Sequence, residues 1–270
     1  MQQMKKFNRY FALGALTVIT GFLSCKKNTS LKDPAVPISM SSAYISFIDV
    51  AVNLNTILGF KADTFNILLN GVKSTGFTSG TTPVMTMGGI YPIAGTTSGY
   101  AVVPSGDQTI KFARGVNDLD SAELYSFNES LQANSYYTLL ITDSIKSGND
   151  QLRMFLKDNF TPTDSTAYNM RFINTVLNDT ASVDVYSARQ AKIIFSDVKP
   201  GAVVDFAKFP ASFVSDTLYC RRAGTSVNLD VLNTALLYGY RTFTLVYEGD
   251  AKNAAAKDPK RHHLVQYINR

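Results

Sequence analysis

The chain has 270 residues, a formal net charge of +5, 45% hydrophobic residues and 17% charged residues, which is typical of a globular protein and excludes a disordered one. With two cysteines, two histidines and no tryptophan, the composition excludes a disulfide scaffold, a multi-cysteine zinc module and an iron–sulfur protein. At about 150 residues per domain, this length predicts about two domains.

The N-terminal segment has the pattern of an export signal. Basic residues come first, and they are Lys5, Lys6 and Arg9. The apolar stretch that follows, residues 10–23, is shorter than the ~20 predominantly apolar residues of a membrane-spanning helix. Ser24 directly before Cys25 resembles a bacterial lipobox, in which the cysteine is lipidated and becomes the mature N-terminus. We therefore predict a lipoprotein signal peptide over 1–24, lipidation of Cys25 and a linker over 25–41.

Removal of this signal would change the charge and the expected partners. The signal contains three basic and no acidic residues, so the mature chain would carry +2. A nucleic-acid partner is not expected, because nucleic-acid-binding proteins present a clustered basic face. In lipoproteins that this pattern resembles, an aspartate after the cysteine argues for inner-membrane retention. Lys26 follows Cys25 here, so we expect the outer membrane, on a side that the sequence leaves undecided. A secreted protein with an incidental cysteine and an N-terminal membrane anchor stay open as alternatives.

From Ala43 onward the chain has the pattern of an all-β protein. Short apolar or alternating runs rich in Val, Ile, Tyr, Phe and Thr are separated by Gly, Asn, Asp, Ser and Pro. Residues 229–237 also fit two helical turns, and this segment stays ambiguous. Asn70-Gly71, between an apolar run and Val72, predicts a type I′ hairpin turn.

An internal repeat divides the mature chain into two similar units. Four pairs of segments correspond: 47–53 with 172–178, 64–68 with 182–186, 137–141 with 243–247, and 151–156 with 263–268. Units of this size, with about seven short strands, suit an immunoglobulin-like antiparallel β-sandwich. Another small antiparallel sandwich or barrel is the alternative. We predict two tandem immunoglobulin-like domains, at 42–160 and 161–270.

The order of these elements behind a lipobox resembles the bacterial family of domains of unknown function numbered 4397. The second unit matches better, through Ser182-Val183-Asp184-Val185-Tyr186. The first unit has Phe65-Asn66-Ile67-Leu68 in that place and a Gly/Thr-rich insertion at 74–97. The resemblance implies an immunoglobulin-like fold in an envelope lipoprotein of the Bacteroidota type. It brings no catalytic residues.

The sequence contains no recognisable catalytic constellation, and we expect neither a cofactor nor a metal. His262 and His263 are adjacent, so on a strand their side chains point to opposite faces and cannot both bind one metal. Alternation around Cys220 predicts a buried thiol. Three glutamates leave few candidates for a carboxylic acid of raised pKa. Two buried, adjacent carboxylates in a cleft would favour an envelope hydrolase, which is a remote alternative.

A short repeated triplet predicts covalent modification. Asp followed by Ser or Thr and then a small or apolar residue, or Thr, resembles the O-glycosylation acceptor used in Bacteroidota envelopes. Three of its five occurrences fall in predicted loops, at Ser144, Ser165 and Thr180.

Together these features predict a non-enzymatic, lipid-anchored cell-envelope protein that serves as a binding or adhesion module for glycan or protein. The alternative is a structural spacer or an accessory subunit of a periplasmic or outer-membrane assembly. The sequence does not identify the binding residues, although the insertion at 74–97 is a candidate because loops of more than ~15 residues are usually functional or disordered.

Overall fold

The computed structural model describes residues 41–52, 65–74, 85, 88–92, 99–113, 123–142, 153–176, 178–253, 258 and 260–269. These residues form strands, turns and loops, and the all-β prediction is confirmed. They include no helix, and hence none long and apolar enough to cross a membrane. The ambiguous segment 229–237 begins in a strand. The described residues belong to one compact unit.

The strands fall into two halves that follow one another in the chain. The first half contains β1 (Ser42–Asp49), β2 (Asn66–Leu69), β3 (Val72–Lys73), β4 (Ile90–Tyr91), β5 (Ala101–Pro104), β6 (Gly106–Ala113), β7 (Glu123–Leu131), β8 (Tyr136–Ile141) and β9 (Arg153–Lys157). The second half contains β10 (Ala167–Asn174), β11 (Val183–Ser187), β12 (Lys192–Val198), β13 (Val203–Pro210), β14 (Thr217–Arg222), β15 (Asn228–Asn233), β16 (Thr242–Glu248) and β17 (His263–Ile268).

The strands form four sheets, numbered here I to IV. In the first half, sheet I has the order β3-β2-β6-β7, and sheet II has the order β4-β1-β8-β9 with β5 also paired to β1. In the second half, sheet III has the order β13-β10-β16-β17 and sheet IV has the order β12-β11-β14-β15. Apart from the additional strand β4, the two halves therefore have the same topology.

The register repeats as well. β1 pairs in parallel with β8, and β10 pairs in parallel with β16. Phe47 lies opposite Leu139 in the first pair, and Phe172 lies opposite Leu245 in the second. These are the positions that the sequence repeat aligned, so the repeat is confirmed as a structural one. The division into immunoglobulin-like domains at 42–160 and 161–270 stays a prediction.

Three apolar clusters fix the order of the sheets. The first cluster packs sheet I on sheet II, with Ile67 and Phe112 facing Phe47 and Leu139. An equivalent cluster packs sheet III on sheet IV. The third cluster joins the halves and contains Ile48, Val50, Leu140, Ile173, Val246 and Tyr267. Sheets II and III are therefore covered on both faces, which explains why β1 and β10 are almost continuously buried.

The Asn70-Gly71 turn has the predicted conformation. Asn70 has φ 48° and Gly71 has φ 79°. A type I′ turn requires positive φ at both central residues, and Asn-Gly supplies this at little steric cost. The turn connects β2 to β3 in sheet I.

Candidate functional site

The outer face of sheet IV carries a row of apolar and aromatic side chains. Tyr186 of β11 lies opposite Tyr219 of β14, and the next positions outward are Ile193 of β12 and Val231 of β15. Residues that alternate with these tyrosines point into the core, namely Val185, Leu218 and Cys220. Because side chains alternate along a strand, the two tyrosines point away from the core.

Arg221 completes this surface. Its guanidinium carbon lies 4.0 Å from the ring centre of Tyr186 and 5.2 Å from that of Tyr219. The two ring centres are 6.3 Å apart, and the planes meet at 55°. Arg221 Nε donates a hydrogen bond of 3.0 Å to Asn228 Oδ1, which holds the guanidinium over the rings. We call Ile193, Tyr186, Tyr219, Val231 and Arg221 the tyrosine platform.

The first half provides an internal comparison for this surface. Strand pairing places Lys73, Leu68, Lys111 and Ser126 in the equivalent row of sheet I. That row contains no aromatic residue, although the topology is the same. The fold therefore does not require two neighbouring tyrosines at these positions.

The platform has the chemistry of a binding surface for flat, partly apolar ligands. Ile193 is 47% exposed and Val231 is 48% exposed, so apolar area remains accessible at both edges. Tyrosine rings present an apolar face together with a hydroxyl group, and binding sites commonly combine such rings with a few fixed polar groups. Arg221 supplies guanidinium donors, and it has no carboxylate partner at salt-bridge distance in the described part of the chain.

Two grooves flank Phe160 in the segment that connects β9 to β10. One groove has a volume of about 400 Å³ and is lined by Phe160, Thr161, Pro162, Thr163, Tyr240 and Thr242. The other has a volume of about 360 Å³ and is lined by Asn134, Ser135, Tyr136, Lys157, Asp158, Asn159 and Phe160. Both are open clefts where the halves meet.

Two buried carboxyl groups lie at the ends of β1 and β16. Asp49 and Glu248 are both fully buried. Burial raises the pKa of Glu248, a hydrogen bond of 2.9 Å from Tyr267 Oη lowers it, and the charge of Asp49 raises it, so that the resulting pKa is about 8. His263 Nε2 lies 3.5 Å from Glu248 Oε1. The pair lines neither of the two grooves, and the non-enzymatic character of the chain stays a prediction.

The remaining sequence-predicted residues fall in different environments. Cys25, Ser144 and most of the 74–97 insertion lie outside the described residues. Cys220 is fully buried and free, and burial raises the pKa of its thiol, as expected for a buried residue. The ring of His262 packs against Tyr247, away from the carboxylate that His263 approaches.

Ser165 and Thr180 share one local geometry. Both lie outside the strands and remain accessible to solvent. The aspartate before each hydroxyl residue accepts a hydrogen bond from the backbone N–H two residues further along the chain. Asp164 Oδ1 accepts from Thr166 N at 2.8 Å, and Asp179 Oδ1 accepts from Ala181 N at 3.1 Å. These are Asx turns, in which the aspartate is held and the next hydroxyl is left accessible.

Sequence reasoning found part of the platform. Alternation along β14 places Tyr219 and Arg221 on one face, as the structure has them. Sequence reasoning missed Tyr186 beside Tyr219, because that contact depends on the pairing of β11 with β14. A tyrosine after Val-Asp-Val in the repeated strand was the available signal.

Comparisons with known proteins do not identify a relative. No family model and no curated protein matches the chain. Among solved structures, the Bacillus anthracis TIE protein is 12% identical over 77% of this chain, with a TM-score of 0.22, and the matched region spans 34% of that protein. The family 26 carbohydrate-binding module of Eubacterium rectale Amy13K, in complex with maltoheptaose, is 10% identical over 84% of this chain and 96% of that one, with a TM-score of 0.23. A candidate cell adhesion protein from Bacteroides ovatus is 10% identical over 86% and 98%, with a TM-score of 0.21. These TM-scores carry no argument about fold or function.

Proposed function

We propose that this chain is a non-enzymatic, lipid-anchored protein of the bacterial outer membrane that binds glycan through the tyrosine platform. The observation that carries the proposal is the pair Tyr186 and Tyr219, side by side on the outer face of sheet IV. Their counterparts in the first half are Leu68 and Lys111. The two halves thus share one topology but differ at these two outward-facing positions, whose side chains are not part of the core clusters.

A sugar is the ligand that this surface suits best. The C–H face of a pyranose ring stacks on an aromatic face, and its hydroxyl groups need nearby hydrogen-bond partners. Arg221 supplies donors beside both rings. The edge of the platform adds the Thr217 hydroxyl and the Asn233 amide, which bond to each other at 3.0 Å and face solvent. A protein ligand is the competing outcome of the test.

The test is binding of the full chain to immobilised and soluble envelope polysaccharides. We expect Tyr219→Ala and Tyr186→Ala each to weaken glycan binding by about fivefold or more, since one such contact contributes roughly 1–3 kcal/mol when truncated. Lys111→Ala is the matched control, because Lys111 occupies the place of Tyr219 in sheet I. Failure of the full chain to bind any glycan, or equal binding by Tyr219→Ala, would overturn the proposal.

One observation favours the alternative of a structural spacer. Sheets II and III bury a continuous apolar cluster between the halves, which resists bending at the junction. A spacer would be recovered by crosslinking with a neighbouring envelope protein, and that contact would persist when Tyr219 is replaced by alanine.

The anchoring and the modification belong to the same proposal. Lipidation of Cys25 would hold the chain at the membrane, and two or more acyl chains are needed for stable anchoring. We also propose that the two halves are immunoglobulin-like and that the protein belongs to an envelope of the Bacteroidota type. Glycosylation is proposed at Ser144, Ser165 and Thr180. Surface labelling of intact cells, with lysed cells as the control, distinguishes the cell surface from the periplasm.

A further inference from the structure

Both halves begin at the same end of the molecule. Asn134 N donates to Ser42 O at the start of β1, and Tyr136, two positions further along the chain, packs on Phe160 with ring centres 5.3 Å apart. Phe160 shares a groove with Tyr240, just before β16. The chain therefore enters β1 and β10 at one end, which we call the junction end.

Loops at the junction end of the second half expose apolar side chains. The exposed fractions are 84% for Phe213, 62% for Val214, 65% for Tyr240, 39% for Tyr238 and 39% for Leu236. Phe213 and Tyr238 are in contact, with ring centres 5.9 Å apart. These residues come from two adjacent loops, 211–216 and 234–241, joined by a hydrogen bond from Ser212 N to Leu237 O.

The second loop is held firmly. A Cβ atom at Gly239 would lie 2.3 Å from the carbonyl oxygen of Ser165, so only glycine allows this approach. Tyr240 N donates to the carbonyl oxygens of Asp164 and Ala167, both at 3.0 Å. The backbone that carries the two exposed tyrosines on either side of Gly239 is thus held in place.

Three exposed cationic side chains lie at this end of the second half, and one of them, Lys208, pairs with Asp164 at 3.6 Å. Lys192, Lys208 and Arg241 are exposed at the beginnings and ends of the strands there. Asp164 is the exposed carboxylate at this end of the second half, in the part of the chain that the structure describes. An apolar cluster with tyrosines and cationic side chains at the same end is the pattern of surfaces that enter the interface of an anionic bilayer.

We propose that the junction end of the second half docks on the lipid bilayer, with Phe213, Val214, Tyr238 and Tyr240 at the headgroup level. This inference rests on the proposed lipid anchor at Cys25. Ser41 follows Cys25 by 16 positions, which span at most about 55 Å. Since the tether enters at the junction end, this end is within reach of the membrane.

The absence of tryptophan makes the inference directly testable. Val214→Trp places a single tryptophan in the exposed cluster. Val227→Trp is the matched control, because Val227 is 60% exposed but lies in the turn at the opposite end of the second half, between β14 and β15. The full chain with each substitution is isolated from native envelopes, its lipid content is read by intact mass, and it is reconstituted into phosphatidylethanolamine–phosphatidylglycerol vesicles.

We expect blue-shifted emission from the Val214→Trp variant, with roughly twofold or greater quenching by lipids brominated on their acyl chains, and neither effect in the Val227→Trp variant. A lipidated chain in which the tryptophan at position 214 is not quenched would overturn the docking and leave the anchor intact. Equal quenching at both positions would overturn docking by this end. A mass without lipid would overturn the anchor, and the docking proposal with it.

Discussion

The guanidinium of Arg171, in the middle of β10, donates a hydrogen bond to the carboxylate of Asp158, the first residue after β9. Their side chains are 2% and 0% exposed. The bond is part of a closed ring of hydrogen bonds. Tyr100 Oη donates to Asp158 at 2.6 Å, and Asn269 Nδ2 donates to Tyr100 Oη at 3.0 Å. Thr244 Oγ1 donates to Asn269 at 2.6 Å and accepts from Arg171 Nε at 2.8 Å. The ring joins the two halves through buried polar groups.

Breaking the ion pair is expected to destabilise the whole chain. Arg171→Met leaves the Asp158 carboxylate buried without its cation, which costs about 3–5 kcal/mol. The double variant Arg171→Met/Asp158→Asn removes both charges, so its loss should be smaller than the sum of the two single losses by about 0.5–3 kcal/mol. Urea unfolding of the four proteins measures this difference.

The half-exposed pair of Arg222 with Asp179 provides the control. Its nitrogen–oxygen distance is 2.8 Å, but the Arg222 side chain is 36% exposed. Arg222→Met should cost about 1 kcal/mol or less, because exposed pairs are screened by solvent. Equal costs for Arg171→Met and Arg222→Met would contradict the view that the buried ring couples the halves.

Strand positions within each half could be predicted from the sequence. The last predicted strand, 263–268, coincides with β17. The repeat also predicted which strand positions correspond, since Phe47 and Phe172 have equivalent partners. Period-2 alternation and turn residues are local signals, and a second copy reinforces them.

The stacking of sheet II on sheet III could not be predicted. It depends on contacts between residues far apart in the chain, such as Tyr100 and Asn269, which are 169 positions apart. Arg171, a charged residue within an apolar strand, was the local sign that this face has a polar partner. Its partner Asp158 lies in a segment with no periodicity, so the sequence offers no way to match them. Likewise the tyrosine platform forms because β11 pairs with β14, and the sequence alone does not reveal which strands pair.

The buried carboxyl group of Glu248 predicts a pH dependence of stability. Burial raises its pKa to about 8 in the folded chain, whereas the unfolded value is 4.5. Between these pH values the folded chain retains a proton that the unfolded chain has lost. Stability from this group is therefore full below pH 4.5, falls as the pH rises and reaches its minimum above about pH 8. The upper limit of the loss is about 5 kcal/mol, since one pKa unit corresponds to about 1.4 kcal/mol.

Glu248→Gln tests this dependence. Glutamine retains an acceptor for Tyr267 Oη but does not titrate. Its unfolding free energy, relative to that of the unmodified chain, should therefore increase between about pH 5 and pH 8. Glu129→Gln is the control, because Glu129 is a partly exposed partner of Arg153. Parallel pH profiles for the unmodified chain and Glu248→Gln would show that Glu248 does not titrate in this window.

The two cysteines give a prediction about thiols. Cys220 is fully buried and burial raises the pKa of its thiol, so the native chain should not react with iodoacetamide. Lipidation would block the sulfur of Cys25. We therefore expect no reactive thiol in the native mature protein and one after denaturation in guanidinium. Two thiols after denaturation would contradict lipidation, and rapid labelling of the native protein would contradict the burial of Cys220.

We expect glycosylation at the Asp-Ser and Asp-Thr triplets that lie in loops and none at the triplet that lies in a strand. Ser165 and Thr180 follow aspartates held in Asx turns and are accessible to solvent, so a glycosyltransferase can reach their hydroxyl groups. Thr217 belongs to the same kind of triplet, but it lies in β14 and its hydroxyl donates to Asn233 at 3.0 Å. In protein isolated from the native host, Ser165→Ala and Thr180→Ala should each lower the intact mass by one glycan, whereas Thr217→Val should change only the side-chain mass. A native mass equal to that of the chain plus lipid would rule out modification at every triplet, and loss of a glycan in Thr217→Val would show that a place in a strand with a hydrogen-bonded hydroxyl does not exclude a site.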